Sequence, residues 1–368
     1  FDDERVRRAI SLLIDRQRIV NDYYPLGSTV ADQFLPSSIG LGYTPGYRWF
    51  DTDVEEGYKL LIEANFEFGQ TLTLAYSNIP SDYLPDPESI ASEIQRQLGN
   101  AGIDVQLLLM QQNEFQNAIA EGELAFYLSG WMADYPDPSN FYSTIFAPQT
   151  KAFGRPYNDI ILMAKEAGST PDPDVRQSRY DRINELLKSH IPAIPLAHGN
   201  TALVTAQNVQ GLIVGSLNEN LEEVSTPMDS LRLIQSYEPS SLWPGDESDS
   251  DTLRITRLLY DTLVEYETQG TGISPSLANY WESNSDRSVW NFHLRYGVKF
   301  TNGADLDAND VVATFAAQWD AASPNHTSGR LLRTPKISST SRWPSGTEGE
   351  SMPCTKGKRP LQDAGSRK

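Results

Sequence analysis

The sequence predicts an α/β protein built as two lobes. Three observations point there. The chain has 368 residues, which is long for one compact domain and comfortable for two. Its middle alternates segments of period two with segments of helical period, the pattern of strands and helices layered with parallel pairing. Near Pro227 the texture changes and a second set of elements begins.

In chain order, residues 5–20 are expected to form one amphipathic helix. Val6, Ala9, Ile10, Leu13 and Ile14 share a face, and Arg5, Arg7, Arg8 and Arg16 lie off it. Pro25, Gly27 and residues 36–46 read as loop, and 55–64 as a short helix. Residues 71–76 alternate as a strand. Ile90, Ile94 and Leu98 place a helix over 88–101, ended by Gly102, and Ile103, Val105, Leu107 and Leu109 alternate again. A helix over 113–120 and a strand over 124–128 follow. Two longer helices are expected near 156–168 and 173–190, the second stopped by Pro192, and then a strand over 194–204. Beyond Pro227, Leu231 and Leu233 begin a strand, 254–266 is helical in pattern, and 289–295 alternates. Asp307 or Asn309 is placed to cap a helix through Val311, Val312 and Phe315.

Thirty Lys and Arg against 49 Asp and Glu give a net charge of −19. Such a surface repels nucleic acid and anionic lipid, so neither is expected as a partner. Its plain consequence is solubility, with some favour for cationic solutes. Residues 330–368 depart from this. They hold nine basic and three acidic residues, leaving −25 for residues 1–329. They lack periodicity and contain Cys354, the sole cysteine. This basic low-complexity tail is expected to be disordered or the product of a slipped reading frame. One cysteine allows no internal disulfide and no cysteine-based zinc site. No apolar run reaches the ~20 residues that span a bilayer. The acidic start Phe1-Asp2-Asp3-Glu4 is no signal peptide, and the chain reads as the middle of something longer.

Catalytic signatures are missing: there is no Gly-x-Ser-x-Gly elbow, His-Glu-x-x-His or phosphate-cradling glycine loop. No cofactor is expected. His190, His293 and His326 lack metal spacing, and Asp246, Asp249 and Asp251 lack the spacing of a calcium loop. Asn325-His326-Thr327 matches a glycosylation acceptor, a short pattern. Asp134 with Asp137 is a carboxylate pair in a loop, the one basis for a hydrolase reading.

That loop, Gly130-Trp131-Met132-Ala133-Asp134-Tyr135-Pro136-Asp137-Pro138, follows the strand expected over 124–128. It therefore sits at a strand's carboxyl end, where open α/β sheets bind ligands. On composition alone, Asp134 caps a turn and Trp131 fills a core. The loop is similar, however, to the Gly-Trp-x-x-Asp-Tyr-x-Asp-Pro loop of the extracytoplasmic solute-binding proteins of peptide-type ABC importers. Three more stretches resemble the same family: 3–20, the helix–strand step 95–105, and Ile191-Pro192-Ala193-Ile194-Pro195-Leu196. Residues 229–329, with Leu259-Tyr260-Asp261-Thr262-Leu263-Val264 and Phe292-His293-Leu294-Arg295-Tyr296-Gly297-Val298-Lys299-Phe300, resemble the opening part of that family.

The resemblance implies a two-lobed periplasmic-binding-protein-like fold of type II, the large peptide-binding class, incomplete or permuted. Residues 1–228 would be the second-lobe and C-terminal part and 229–329 the first-lobe N-terminal part, so the family's order is inverted. Either a tandem protein cut at both ends or a circular permutation accounts for that. It further implies a monomer that holds a short peptide between its lobes and delivers it to permease transmembrane subunits, periplasmic or lipid-anchored to the outer face of the membrane. Asp134 would pair with the ligand's amino group. Trp131 and Tyr135 would form apolar walls, Glu238 and Ser240 would approach from the other lobe, and His198 would reach the cleft. The alternatives are a nickel chelate, oligosaccharide or opine in the same frame, and a non-functional gene fragment.

Overall fold

The computed structural model describes residues 1–319 except 134, 147–149, 201–202, 216–218, 229, 236–237, 240–241, 246–249 and 269. Asp134, Ser240, Asn325 and the tail 330–368 therefore lie outside the described residues. The chain divides into two compact units. One is Phe1–Asp229 with Tyr266–Gly272, and the other is Ser230–Glu265 with Ile273 onward.

The first unit opens with two helices where the periodicity predicts one. Helix α1 (Glu4–Leu13) starts at Asp3, whose carboxylate accepts from the Arg5 N–H at 2.8 Å. Ile14 is extended (φ −91°, ψ 113°), and Asp15 restarts the helix as α2 (Arg16–Tyr23) by accepting from Arg18 N–H at 2.9 Å. The break turns Arg16 inward. Arg7 and Arg16, expected off the apolar face, are 8% and 4% exposed. Both guanidiniums are satisfied by backbone carbonyls. Arg7 donates to Phe1, Asp2, His190 and Ile191, and Arg16 to Ala31, Pro195 and Phe50. A face rule misplaces them because a fork of five donors can be buried wherever loops present carbonyls.

Helix α3 (Val54–Glu63) packs on α1 with Gly57 against Leu13; a Cβ there would press on the leucine side chain. Strands β2 (Leu72–Ser77) and β3 (Val105–Met110) run parallel, in register from Leu72 opposite Val105 to Ser77 opposite Met110. Helix α4 (Pro87–Asn100) crosses between them, capped by Asp86 and opened by Pro87, with Ile90, Ala91, Ile94 and Leu98 buried. Gly102 ends it in the left-handed region, φ +79°. The strand predicted over 124–128 is reduced to a parallel bridge on the other edge of β2. Ala75 donates to Phe126 and accepts from Leu128, both at 3.0 Å. Successive residues of a strand turn their backbone groups to opposite sides, so β2 lies between β3 and this segment. Residues of α1, α3, α4, β2 and β3 share one apolar core.

Helices α5 (Gln112–Glu121), α6 (Pro138–Ile145), α7 (Asn158–Gly168) and α8 (Pro173–His190) follow. The last three enclose a second core around Tyr142, Ile160, Tyr180, Ile183 and Leu187, with Leu35 and Trp49. Its polar atoms are paired: Tyr142 OH donates to Asn184 Oδ1 at 2.8 Å, and Trp49 Nε1 to Ser11 Oγ at 2.8 Å. Helix α8 ends at Ile191, which takes a left-handed conformation (φ +47°) rare for a β-branched residue. The following Pro192 disfavours a further helical residue, and the Arg7 guanidinium donates to the buried Ile191 carbonyl at 3.1 Å. The strand expected over 194–204 shrinks to β4 (Ala197–His198), paired antiparallel with β1 (Thr29–Val30).

In the second unit the strand expected from Leu231 does not form, and Ile234 is 91% exposed. The helix expected over 254–266 is instead α9 (Ser250–Arg257) followed by β5 (Val264–Tyr266), which pairs with β6 (Ile273–Pro275). Strands β7 (Ala278–Ser283) and β8 (Trp290–Leu294) form an antiparallel hairpin. Helix α10 (Ala308–Trp319) is capped reciprocally. Asp307 accepts from Asn309 N–H at 2.7 Å, and its own N–H reaches Asp310 at 2.8 Å. The alternation over 289–295 and the helix through Val311, Val312 and Phe315 form as expected, in β8 and α10, whereas the readings from Leu231 and over 254–266 do not. Trp290, Phe292 and Tyr296 stand exposed, and among the described hydrophobic residues of this unit Ala278 alone is buried.

Candidate functional site

The carboxyl ends of the parallel strands in the first unit are where its loops converge. Strand β2 ends at Ser77, and residues 78–86 lead to α4 through a tight turn. Ser81 and Leu84 in it exchange backbone hydrogen bonds at 3.0 and 3.1 Å. The parallel segment 126–128 ends in Ser129 and Gly130. The turn and this loop touch so closely that a Cβ on Gly130 would overlap the Tyr83 ring. The residue after β4 also meets the turn: a Cβ on Gly199 would overlap the Asp82 carbonyl. Tyr24 donates to the Tyr83 carbonyl at 3.0 Å and fixes the turn from beneath.

A cavity of about 40 Å³ opens at this edge, lined among others by Ser77, Ser81, Gln112, Gln116, Phe115 and Leu128. Gln112 opens α5, whose start has no side-chain cap. Among the described residues that line it, none is charged. The hydroxyls of Ser77 and Ser81 are buried and make no hydrogen bond within the protein. The sequence reading missed both serines. Their position directly after the strand expected over 71–76 was the available signal.

The residues singled out from sequence fall around this edge in different ways. Trp131 is half-buried, donates from Nε1 to Asn140 Oδ1 at 2.7 Å, and packs against the second core. Tyr135 is exposed, with its hydroxyl 3.4 Å from Ser139 Oγ. Asp137, the loop's other carboxylate, is committed to structure. It caps α6 through the Ser139 N–H at 2.9 Å and takes Arg176 Nη2 on both oxygens at 2.8 and 2.9 Å. Burial alone would raise its pKa, but Ser139 and Arg176 outweigh that and hold it below the usual carboxylate range. Glu238 is exposed, outside any helix or strand of the second unit.

His198 is opposite Thr29 in the β1–β4 pair. Its Nε2 is shielded without a hydrogen-bond partner, and burial pushes its pKa down to about 4, against the pull of the Gln33 backbone and Asp32. The ring is therefore neutral at pH 7. Because the folded value lies below the ordinary 6.5, the unfolded chain binds the proton first. The stability contributed by the neutral ring is complete above pH ~6.5 and is lost as the pH falls toward 4, up to about 3 kcal/mol. Urea midpoints between pH 7 and 4.5 should fall less for His198→Gln than for the wild type. Parallel pH profiles would show that the ring titrates alike in both states.

The model of the bacterial extracellular solute-binding proteins, family 5 Middle, matches residues 1–153 and 272–343, well over half of the chain. The chain belongs to that family. The chain's relatives include the dipeptide-binding protein of Escherichia coli K12, 25% identical over 234 residues, which are 61% of this chain and 43% of the relative. Heme-binding protein A of Haemophilus influenzae is 24% identical over 219 residues, 58% of this chain and 40% of the relative. Among solved structures, the dipeptide binding protein of Pseudoalteromonas sp. SM9913 in complex with Met-Leu superposes with a TM-score of 0.53 at 26% identity. It covers 61% of this chain and 46% of that one. The chain thus spans less than half the length of these proteins. The second matched stretch ends within the segment set apart as a basic tail. Among the described residues, no helix is long and apolar enough to cross a membrane.

Proposed function

We propose that this chain supplies the solute-binding part of an ABC importer, capturing a short peptide and delivering it to a membrane permease outside the cytoplasm. The supporting observation is the cavity at the carboxyl edge of β2, where three loops converge in a member of a solute-binding family. Two relatives named or crystallised as dipeptide binders favour a peptide. In this reading residues 1–228 are the second-lobe and C-terminal part of a module and 229–329 the opening part of its first lobe. Asp134 binds the ligand's amino group, Trp131 and Tyr135 flank it, Glu238 and Ser240 belong to the other lobe, and binding proceeds without turnover. His198, neutral and shielded, acts by hydrogen bonding. The protein works as a monomer, periplasmic or lipid-anchored at the outer face of the membrane.

Native mass spectrometry of the full chain with a mixed library of short peptides tests this. A retained peptide mass, released unchanged on denaturation, is the expected result. Folded protein that retains no peptide at any length would rule out the peptide reading.

A further inference from the structure

Burying a hydroxyl without a partner costs about 1–3 kcal/mol, so native proteins seldom leave one unpaired. Ser77 is 7% exposed, its Oγ makes no hydrogen bond within the protein, and it lines the cavity together with Ser81, whose Oγ is likewise unpartnered. Alanine at position 77 would fill the same place on β2 without that cost. Two such hydroxyls in one cavity suit a group that arrives from outside and pairs with them.

The cavity also limits what that group is. About 40 Å³ is room for roughly three water molecules, enough for one small polar group to enter. A serine hydroxyl both donates and accepts, and the carboxamides of Gln112 and Gln116 do the same. No Lys, Arg or His stands among the described residues lining the cavity, so a carboxylate would be buried there without a counter-charge, which is strongly unfavourable. An ammonium would likewise find no lining carboxylate. A carboxamide or hydroxyl, with donor and acceptor in one compact group, matches both hydroxyls. Phe115 and Leu128 close its apolar flank.

Resting on the reading of the chain as a solute-binding protein, we propose that Ser77 and Ser81 form a neutral polar subsite. It takes an uncharged amide or hydroxyl group of the solute and discriminates against a carboxylate of the same shape.

The experiment uses the full chain with two isosteric pairs of probes. Acetamide and sodium acetate, at matched ionic strength, report on the cavity itself through the backbone amide resonances of Ser77, Ser81 and Gln112. Leu-Gln and Leu-Glu report on it within a peptide, by isothermal titration. Acetamide should shift the three resonances saturably and acetate should not, and Leu-Gln should bind at least tenfold more tightly than Leu-Glu. In Ser77→Ala/Ser81→Ala both preferences should vanish, while the Tm without probe equals or exceeds the wild type's, since two unpaired buried hydroxyls are gone. Acetate shifting the resonances as readily as acetamide, neither probe shifting them, or preferences that survive the double substitution would each overturn the subsite. A normal acetamide response with no binding of either peptide would instead support the subsite and count against the peptide reading.

Discussion

Arg16→Ala should lower the stability of the first unit by about 3–5 kcal/mol, the range found when one member of a buried charged network is removed. The guanidinium is 4% exposed and ties three loops together. Nη1 donates to the Ala31 and Pro195 carbonyls and Nη2 to Phe50 at 2.8 Å, with Asp32 at 3.7 Å. Desolvation weakens its hold on the proton, with Asp32 opposing, yet an arginine stays charged in proteins. Truncation leaves three carbonyls and part of Asp32 without a partner in a place closed to water. Thermal unfolding followed by circular dichroism should show a Tm lower by roughly 10 °C or more. Arg16→Lys should fall between, because an ammonium keeps the charge but cannot fork across three acceptors. A loss below ~1 kcal/mol in the alanine variant would mean that water reaches those carbonyls.

The second large effect concerns binding. Asp134→Ala should weaken a retained peptide by about 2–5 kcal/mol, a rise in Kd from roughly thirtyfold to several thousandfold. The neighbouring carboxylate cannot stand in, since Asp137 is held by Arg176 and the start of α6. Asp134→Asn keeps the shape and removes the charge, so it should lose nearly as much. The partner is tested from the ligand side by comparing a free peptide with its N-acetylated form. Equal affinities for the two, measured by isothermal titration, would remove the amino group from the account.

In the first unit, legibility in the sequence follows enclosure. The step β2–α4–β3 was readable to within a residue or two because Leu74, Ile90, Ile94, Leu98 and Val105 are all buried, so their spacing records the core they face. In the second unit the outcome is mixed: around the exposed Leu233, Ile234, Leu258 and Leu259 the strand and long helix read there did not form, while the alternation over 289–295 did become β8 although Trp290 and Phe292 are exposed. The break at Ile14 was hidden for another reason: Asp15 acts as a cap only because its side chain reaches the Arg18 N–H, and composition does not announce that choice. At the site, the loop 130–138 stood out by its residues. The two serine hydroxyls did not, since an unpartnered hydroxyl is a property of surroundings and not of sequence.

The helix starts give the chain's acidity a second meaning. Seven of the described helices, α1, α2, α3, α4, α6, α8 and α10, begin at an aspartate whose side chain accepts a first-turn N–H. Part of the charge of −19 is therefore fixed architecture, complementing helix dipoles, and only the rest is free to vary with habitat or solvent. Anyone retuning the isoelectric point for crystallisation or chromatography should leave these seven alone or exchange them for asparagine, which caps as well without the charge, except at Asp137, whose charge also pairs with Arg176. Lysine at the same positions would forfeit a helix start each time, and seven small losses of ~1 kcal/mol are comparable to the whole margin by which a domain stays folded.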